Sequence, residues 1–174
     1  LSELHFELSY DEYAQGRAKY DKDAEAWTSD SGKPEPTEPS FHYEPTIATM
    51  QRLITEFPKY RLIDGAYYLL GYCLGEQGEE DRAVDMYRDL VLRNPNSRFA
   101  PEVWTRIGEY YFNTNQLPQA VEAYTHVLGR EDSPFYDKAM YKLAWTHYRL
   151  ADPETAPQEF QQAVDIFISL LDFN

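Results

Sequence analysis

Apolar residues recur along the chain at spacings of three and four, and nowhere do they sustain the two-residue alternation of strands flanked by hairpin turns. The pattern predicts an all-helical protein. Most of the 8 Gly and 11 Pro fall between the periodic segments, as helix punctuation. A longer period lies above the helical one. Tyr67-Leu70-Gly71-Leu74 aligns with Trp104-Ile107-Gly108-Tyr111 and with Met140-Leu143-Ala144-His147, so the small residue returns at steps of 37 and 36. A second set follows each of these: Ala83-Tyr87-Leu90, Ala120-Tyr124-Val127 and Ala163-Phe167-Leu170. The first two units close near Pro95 and Pro134. Two antiparallel helices approach closely only where side chains are small, so Gly71, Gly108 and Ala144 face inward on the first helices and Ala83, Ala120 and Ala163 on the second.

This joint pattern resembles the tetratricopeptide repeat, or TPR, in which Trp, Leu-Gly and Tyr are followed by Ala, Phe, Ala and Pro over about thirty-four residues. The third unit departs from it, with Met140 for Trp, Ala144 for Gly and a longer turn over 151–158. Upstream, Thr46-Met50-Leu53-Pro58 stands where a second helix and its closing proline belong. Residues 1–28 read as one long amphipathic helix, and the polar, proline-rich stretch 29–40 as a mobile insertion. The resemblance implies one TPR-like domain over 1–174, built of helical hairpins at 1–57, 61–95, 100–132 and 134–173 and stacked as a right-handed curved solenoid. It covers residues 43–174 well and the first 42 poorly.

In TPR proteins the first helix of each hairpin lines the concave wall. The matching positions here are Tyr68, Tyr72, Arg106, Glu109, Phe112, Lys138, Tyr141, Lys142, Trp145 and Tyr148. Such a wall is aromatic, and Tyr and Trp anchor binding surfaces because they offer large rigid area with a polar tip. The competing reading packs Phe112, Trp145 and Tyr148 between neighbouring hairpins; Trp104 is expected to pack. A subclass of TPR domains clamps chaperone tails with Lys and Asn on the first helices. Lys138 and Lys142 fit its third hairpin, but Tyr68, Tyr72, Thr105 and Glu109 replace the rest, so that ligand is disfavoured and the two lysines read as solvated helix charges.

Charge narrows the partners. Sixteen Lys and Arg against thirty Asp and Glu give a net charge of −14. Residues 1–45 and 46–174 net −7 each, so no basic half is hidden and nucleic acid is not an expected partner. With 43% hydrophobic and 16% aromatic residues the chain is nonetheless a folding one. Cys73 is the single cysteine and excludes an intrachain disulfide or a thiolate cluster. No apolar stretch reaches the ~20 residues of a membrane span. His5, His42, His126 and His147 lack a second ligand at helical spacing, and neither HExxH nor a Gly-rich phosphate loop occurs, so no metal, cofactor or catalytic activity is expected. Glu79, Glu80 and Asp81 suit a helix first turn.

The segment Phe160–Phe173 carries apolar residues on more than one face, with Ile166 and Ile168 outside the Ala163-Phe167-Leu170 stripe. A solenoid ends in a polar cap, so this face is expected to be covered by a further repeat, another subunit or a partner, and the chain reads as a segment of a longer protein. The joints Phe57-Pro58-Lys59-Tyr60-Arg61 and Asn94-Pro95-Asn96-Ser97-Arg98-Phe99-Ala100 resemble those of bacterial envelope TPR families of the BamD and YbgF types. The stretch Tyr136–Tyr148 is similar to the AglT-like TPR proteins of gliding motility. These resemblances imply a non-catalytic scaffold of a periplasmic, outer-membrane-associated machine, holding a partner segment of basic or apolar character. Two alternatives stand beside it: a structural array that self-associates through its end helices, and a cytosolic co-chaperone.

Overall fold

A computed structural model describes residues 2–27, 32, 34–39 and 41–173, apart from the side chains of 2–9, 12 and 173. Eight helices are described: α1 (Ser2–Ala26), α2 (Glu44–Glu56), α3 (Ile63–Glu76), α4 (Glu80–Arg93), α5 (Ala100–Asn113), α6 (Leu117–Leu128), α7 (Tyr136–Leu150) and α8 (Pro157–Phe173). The protein is all-α, built of helical hairpins. The chain divides into two compact units, Leu1–Tyr60 and Arg61–Asn174.

In the first unit, α1 and α2 pack together. The half-buried positions Tyr13, Gly16, Arg17, Tyr20 and Ala24 recur at three and four along α1. The Tyr13 ring lies 5.8 Å from that of Phe41, which in turn lies 4.3 Å from Tyr43. Gly16 admits Pro39 so closely that a Cβ there would stand 3.1 Å from the proline ring. Arg17 bridges Asp21 one turn on and Glu38 in the connecting segment. Pro45, whose missing N–H costs nothing in a first turn, starts α2, which buries Thr46 and Met50. Of the 29–40 insertion, residues 29–31, 33 and 40 lie outside the described residues, as does the side chain of His5.

The second unit is three hairpins, α3/α4, α5/α6 and α7/α8, with α5 packed along α4 and α7 along α6. The glycine contacts set the spacing of the first two. A Cβ on Gly71 would come within 2.5 Å of Tyr87 Cε1, and one on Gly108 within 2.5 Å of Tyr124 Cε1. Each tyrosine ring thus approaches helix backbone more closely than any side chain but glycine allows. In the third hairpin the small residue is Ala144, and Phe167 instead meets the edges of Tyr141 and Trp145 at 6.2 and 5.7 Å. Around Tyr124 the core gathers Ala120, Val127, Ala139 and Leu143, with Trp104, Phe112, Phe135 and Ile166 half-buried against it.

The turns repeat as well. Gly78 (φ 79°) ends α3 and Asn115 (φ 61°), 37 residues on, ends α5. Past each, a backbone N–H reaches back over the last turn: Glu79 to Leu74 O at 2.9 Å, and Gln116 to Tyr111 O at 2.8 Å. Glycine and asparagine are the residues that tolerate this left-handed geometry. The matching place in the third hairpin is Ala151, which leaves α7 extended (ψ 130°). Asp152 then closes the longer turn, its Oδ1 accepting the N–H groups of Glu154 and Thr155 at 2.9 and 2.8 Å.

Candidate recognition surface

The first helices carry the predicted wall, and their side chains interlock from one hairpin to the next. Tyr68 on α3 stacks on Phe99 with ring centroids 4.4 Å apart and donates its hydroxyl to Glu102 Oε1 at 2.9 Å. Glu102 also accepts both Nε and Nη2 of Arg106, at 2.9 and 2.8 Å, and the Arg106 guanidinium sits 5.6 Å from the Tyr72 ring centre. The Tyr68 phenol is pushed up to about 12, first by burial and then by its bond to the Glu102 carboxylate. Tyr72, Arg106 and Glu109 border a cleft of about 220 Å³ between the first two hairpins, which Glu76, Glu80 and Tyr110 share. Tyr110 donates to Asp81 Oδ1 at 2.6 Å across this junction.

Between the second and third hairpins, Glu109 pairs with Lys138 at 2.8 Å. Phe112 lies beneath two cations: Lys142 at 5.6 Å and Arg149 at 4.4 Å from its ring centre. Arg149 also donates to the Phe112 carbonyl and to Asn115 Oδ1. Seven of the ten predicted positions, Tyr68, Tyr72, Arg106, Glu109, Phe112, Lys138 and Lys142, therefore engage a neighbouring hairpin. Lys138 and Lys142 have specific partners beyond solvent.

The other three behave differently. Tyr141, Trp145 and Tyr148 on α7 are 47%, 39% and 50% exposed. With Phe167 they form an edge-to-face cluster, Tyr141 to Trp145 at 6.2 Å, Trp145 to Tyr148 at 5.5 Å and Phe167 against both Tyr141 and Trp145, and Phe160 lies tilted at 6.0 Å from Tyr148. Pairs of this geometry contribute about 0.5–1.5 kcal/mol each beyond their buried area, so the rings hold one another in place at a water-facing surface. Phe160, Ile168 and Leu171 on α8 extend the exposed apolar area beside it; the Phe173 side chain is outside the described residues. Of these, Phe160 belongs to the face the sequence singled out, whereas its meeting with Tyr148 depends on how α8 crosses α7.

The remaining candidates are structural. Trp104 is half-buried and stacks on His126 at 4.0 Å. His147 Nδ1 pairs with Glu159 Oε2 at 2.6 Å, fastening α7 to the start of α8. Glu80 and Asp81 occupy the first turn of α4, and Glu79 pairs with Arg82. Cys73 is fully buried, and burial pushes its thiol up to about 12, so it packs as a small apolar side chain. Among the described residues no helix is long and apolar enough to cross a membrane. The surface displays exposed aromatic area on α7 beside the charge pairs that join the hairpins.

Two tetratricopeptide repeat models match the chain, one over residues 65–97 and the other over 105–169, together more than half its length. The chain belongs to the tetratricopeptide repeat family, a family of protein-interaction modules. Among solved structures it is similar to two crystal forms titled "MamA AMB-1". The first has a TM-score of 0.56 at 14% identity, covering 98% of this chain and 99% of that one. The second has a TM-score of 0.51 at 16% identity and covers 92% of each. At such identities the likeness is one of fold. No curated protein matches the sequence.

Proposed function

We propose that this TPR protein is a scaffold of a bacterial cell-envelope machine that holds a segment of a partner protein against the first helices of its second unit, chiefly at α7. The observation that carries the reading is the exposed edge-to-face cluster of Tyr141, Trp145 and Tyr148 on Phe167, with Phe160 beside it. Preformed aromatic area of this kind lowers the ordering cost of binding. The net charge of −14 favours a partner segment that is basic as well as apolar. The periplasmic, outer-membrane-associated setting rests on the resemblance of the Phe57–Arg61 and Asn94–Ala100 joints and of the Tyr136–Tyr148 stretch to envelope TPR families.

The test is a crosslinking pull-down from cell-envelope and cytosolic fractions, with wild type beside Trp145→Ala and Tyr148→Ala. The reading expects capture of envelope components that the two variants lose while helicity is kept. Capture of cytosolic chaperones would replace the envelope setting. Capture unaffected by both substitutions would remove the aromatic cluster from the binding surface.

A further inference from the structure

The two junctions between successive hairpins of the second unit share a register but end differently. At the second junction, Arg149 of α7 donates to the Phe112 carbonyl at 3.1 Å and to Asn115 Oδ1 at 2.8 Å, with its guanidinium 4.4 Å from the Phe112 ring centre. Ring and guanidinium lie together at the end of α5. At the first junction, the repeat step of 37 puts Gly75 in the place of Phe112, and the step of 36 puts Asn113 in the place of Arg149. Neither ring nor cation is supplied there. A cleft of about 220 Å³ opens instead, lined only by α3, α4 and α5. A Cβ on Gly75 would meet Ala83 at an ordinary 3.8 Å, so the space beside the glycine is not needed for packing.

The groups around the cleft select a cation. Glu76, Glu80 and Glu109 line it against the one guanidinium of Arg106. Arg106 is already held by Glu102 at 2.8 Å, and Glu109 by Lys138 at 2.8 Å. Glu76 and Glu80 have no ion-pair partner among the described residues. An independent sign comes from α4. Tyr87 is only 5% exposed and lines the cleft, yet among the described residues its hydroxyl has no hydrogen-bond partner. Buried polar groups are ordinarily paired, so this hydroxyl marks a place for a ligand group. Tyr72 and Tyr110 add ring area, to which a guanidinium is attracted.

We infer that this cleft receives an arginine side chain of a partner protein, in the place that Arg149 takes at the next junction. Its guanidinium is held by the Glu76 and Glu80 carboxylates, with the Tyr87 hydroxyl as a further acceptor. Arginine suits the site better than lysine because its planar fork serves several acceptors at once, as Arg149 does with a carbonyl and an amide oxygen. The inference rests on the scaffold reading for a polypeptide partner, but on none of the α7 residues.

The probe is the peptide acetyl-Gly-Arg-Gly-amide, titrated into the isotope-labelled full chain and followed by amide chemical shifts. Saturable shifts are expected at Gly75, Glu76 and Asn113, with a Kd of about 10 mM or tighter. Glu76→Gln with Glu80→Gln should weaken binding about tenfold. Asn113→Arg, which restores a guanidinium of the chain's own at the Arg149 register, should weaken it at least as much. Glu122→Gln on α6 should change nothing, which separates the cleft from the general pull of an acidic surface. Free arginine, whose carboxylate the acidic cleft repels, should bind more weakly than the peptide. Tighter binding of free arginine would overturn a polypeptide source. No saturable shift, or equal binding of the same peptide carrying citrulline or lysine, overturns the inference. Binding lost on Trp145→Ala and kept in the Glu76→Gln/Glu80→Gln variant also overturns it, while leaving the scaffold reading standing.

Discussion

The first and third hairpins of the second unit present the same helix face in two conditions. On α3 that face is covered: Tyr68, Tyr72 and Asp64 are committed to Phe99, Arg106 and Ser97. On α7 the corresponding Tyr141, Trp145 and Asp137 face water. Residue type alone therefore does not separate core from recognition surface in a repeat protein. What separates them among the described residues is cover: the segment from Ser97 to Arg106 lies on α3, and no described segment lies in the same way on α7.

The largest effect should come from the covered side. Tyr124 is fully buried against Gly108, so Tyr124→Ala is expected to cost about 3–5 kcal/mol in urea unfolding. Tyr124→Phe should be neutral or stabilising, because among the described residues the buried hydroxyl has no hydrogen-bond partner. Gly108→Ala drives a methyl into the Tyr124 ring and should cost about 1–3 kcal/mol. Ala144→Gly, at the same register of the third hairpin, should cost only about 0.5–1 kcal/mol, as a loss of helix propensity.

Val91 and Leu171 sharpen the comparison, being one register in two conditions. Val91→Ala should cost about 2 kcal/mol. Leu171→Ala should stay within about 0.5 kcal/mol, although it removes the larger side chain. Equal costs would mean that the α8 face is covered after all.

A smaller effect tests the Tyr68 junction. Its phenol is raised to about 12 in the folded chain, against about 10 in an unfolded one. Below the unfolded value both states keep the proton. Above it the unfolded chain ionises first, so stability is present at neutral pH and is lost as pH climbs through that interval. Urea midpoints should fall there, and Tyr68→Phe should flatten the fall. Burial pushes the Tyr87 and Tyr124 phenols up as well, so part of the fall persists in that variant.

The helical hairpins were legible because their signal is local: three-and-four spacing and a repeat of 37 and 36 residues. Gly71 and Gly108 could be placed against the second helices for the same reason, since the offset inside a hairpin is short and fixed. Pairs between hairpins were not legible. Ser97 with Asp64, Tyr110 with Asp81 and Arg149 with the Phe112 carbonyl lie 29 to 37 residues apart and depend on how one hairpin is set against the next. The ten candidate wall positions lie on α3, α5 and α7, the first helices of the three hairpins. Which of them a neighbour occupies is set by those inter-hairpin contacts. The left-handed turn shared by Gly78 and Asn115 was also missed, although Asn at a glycine register is its sequence mark.

The most direct test places a photo-crosslinking amino acid at position 145, and in a second sample at the exposed α6 position 122, in cells that make the protein. The account predicts a discrete crosslinked partner protein from position 145 and none from position 122. Equal products from both positions, or no product from position 145, would contradict it.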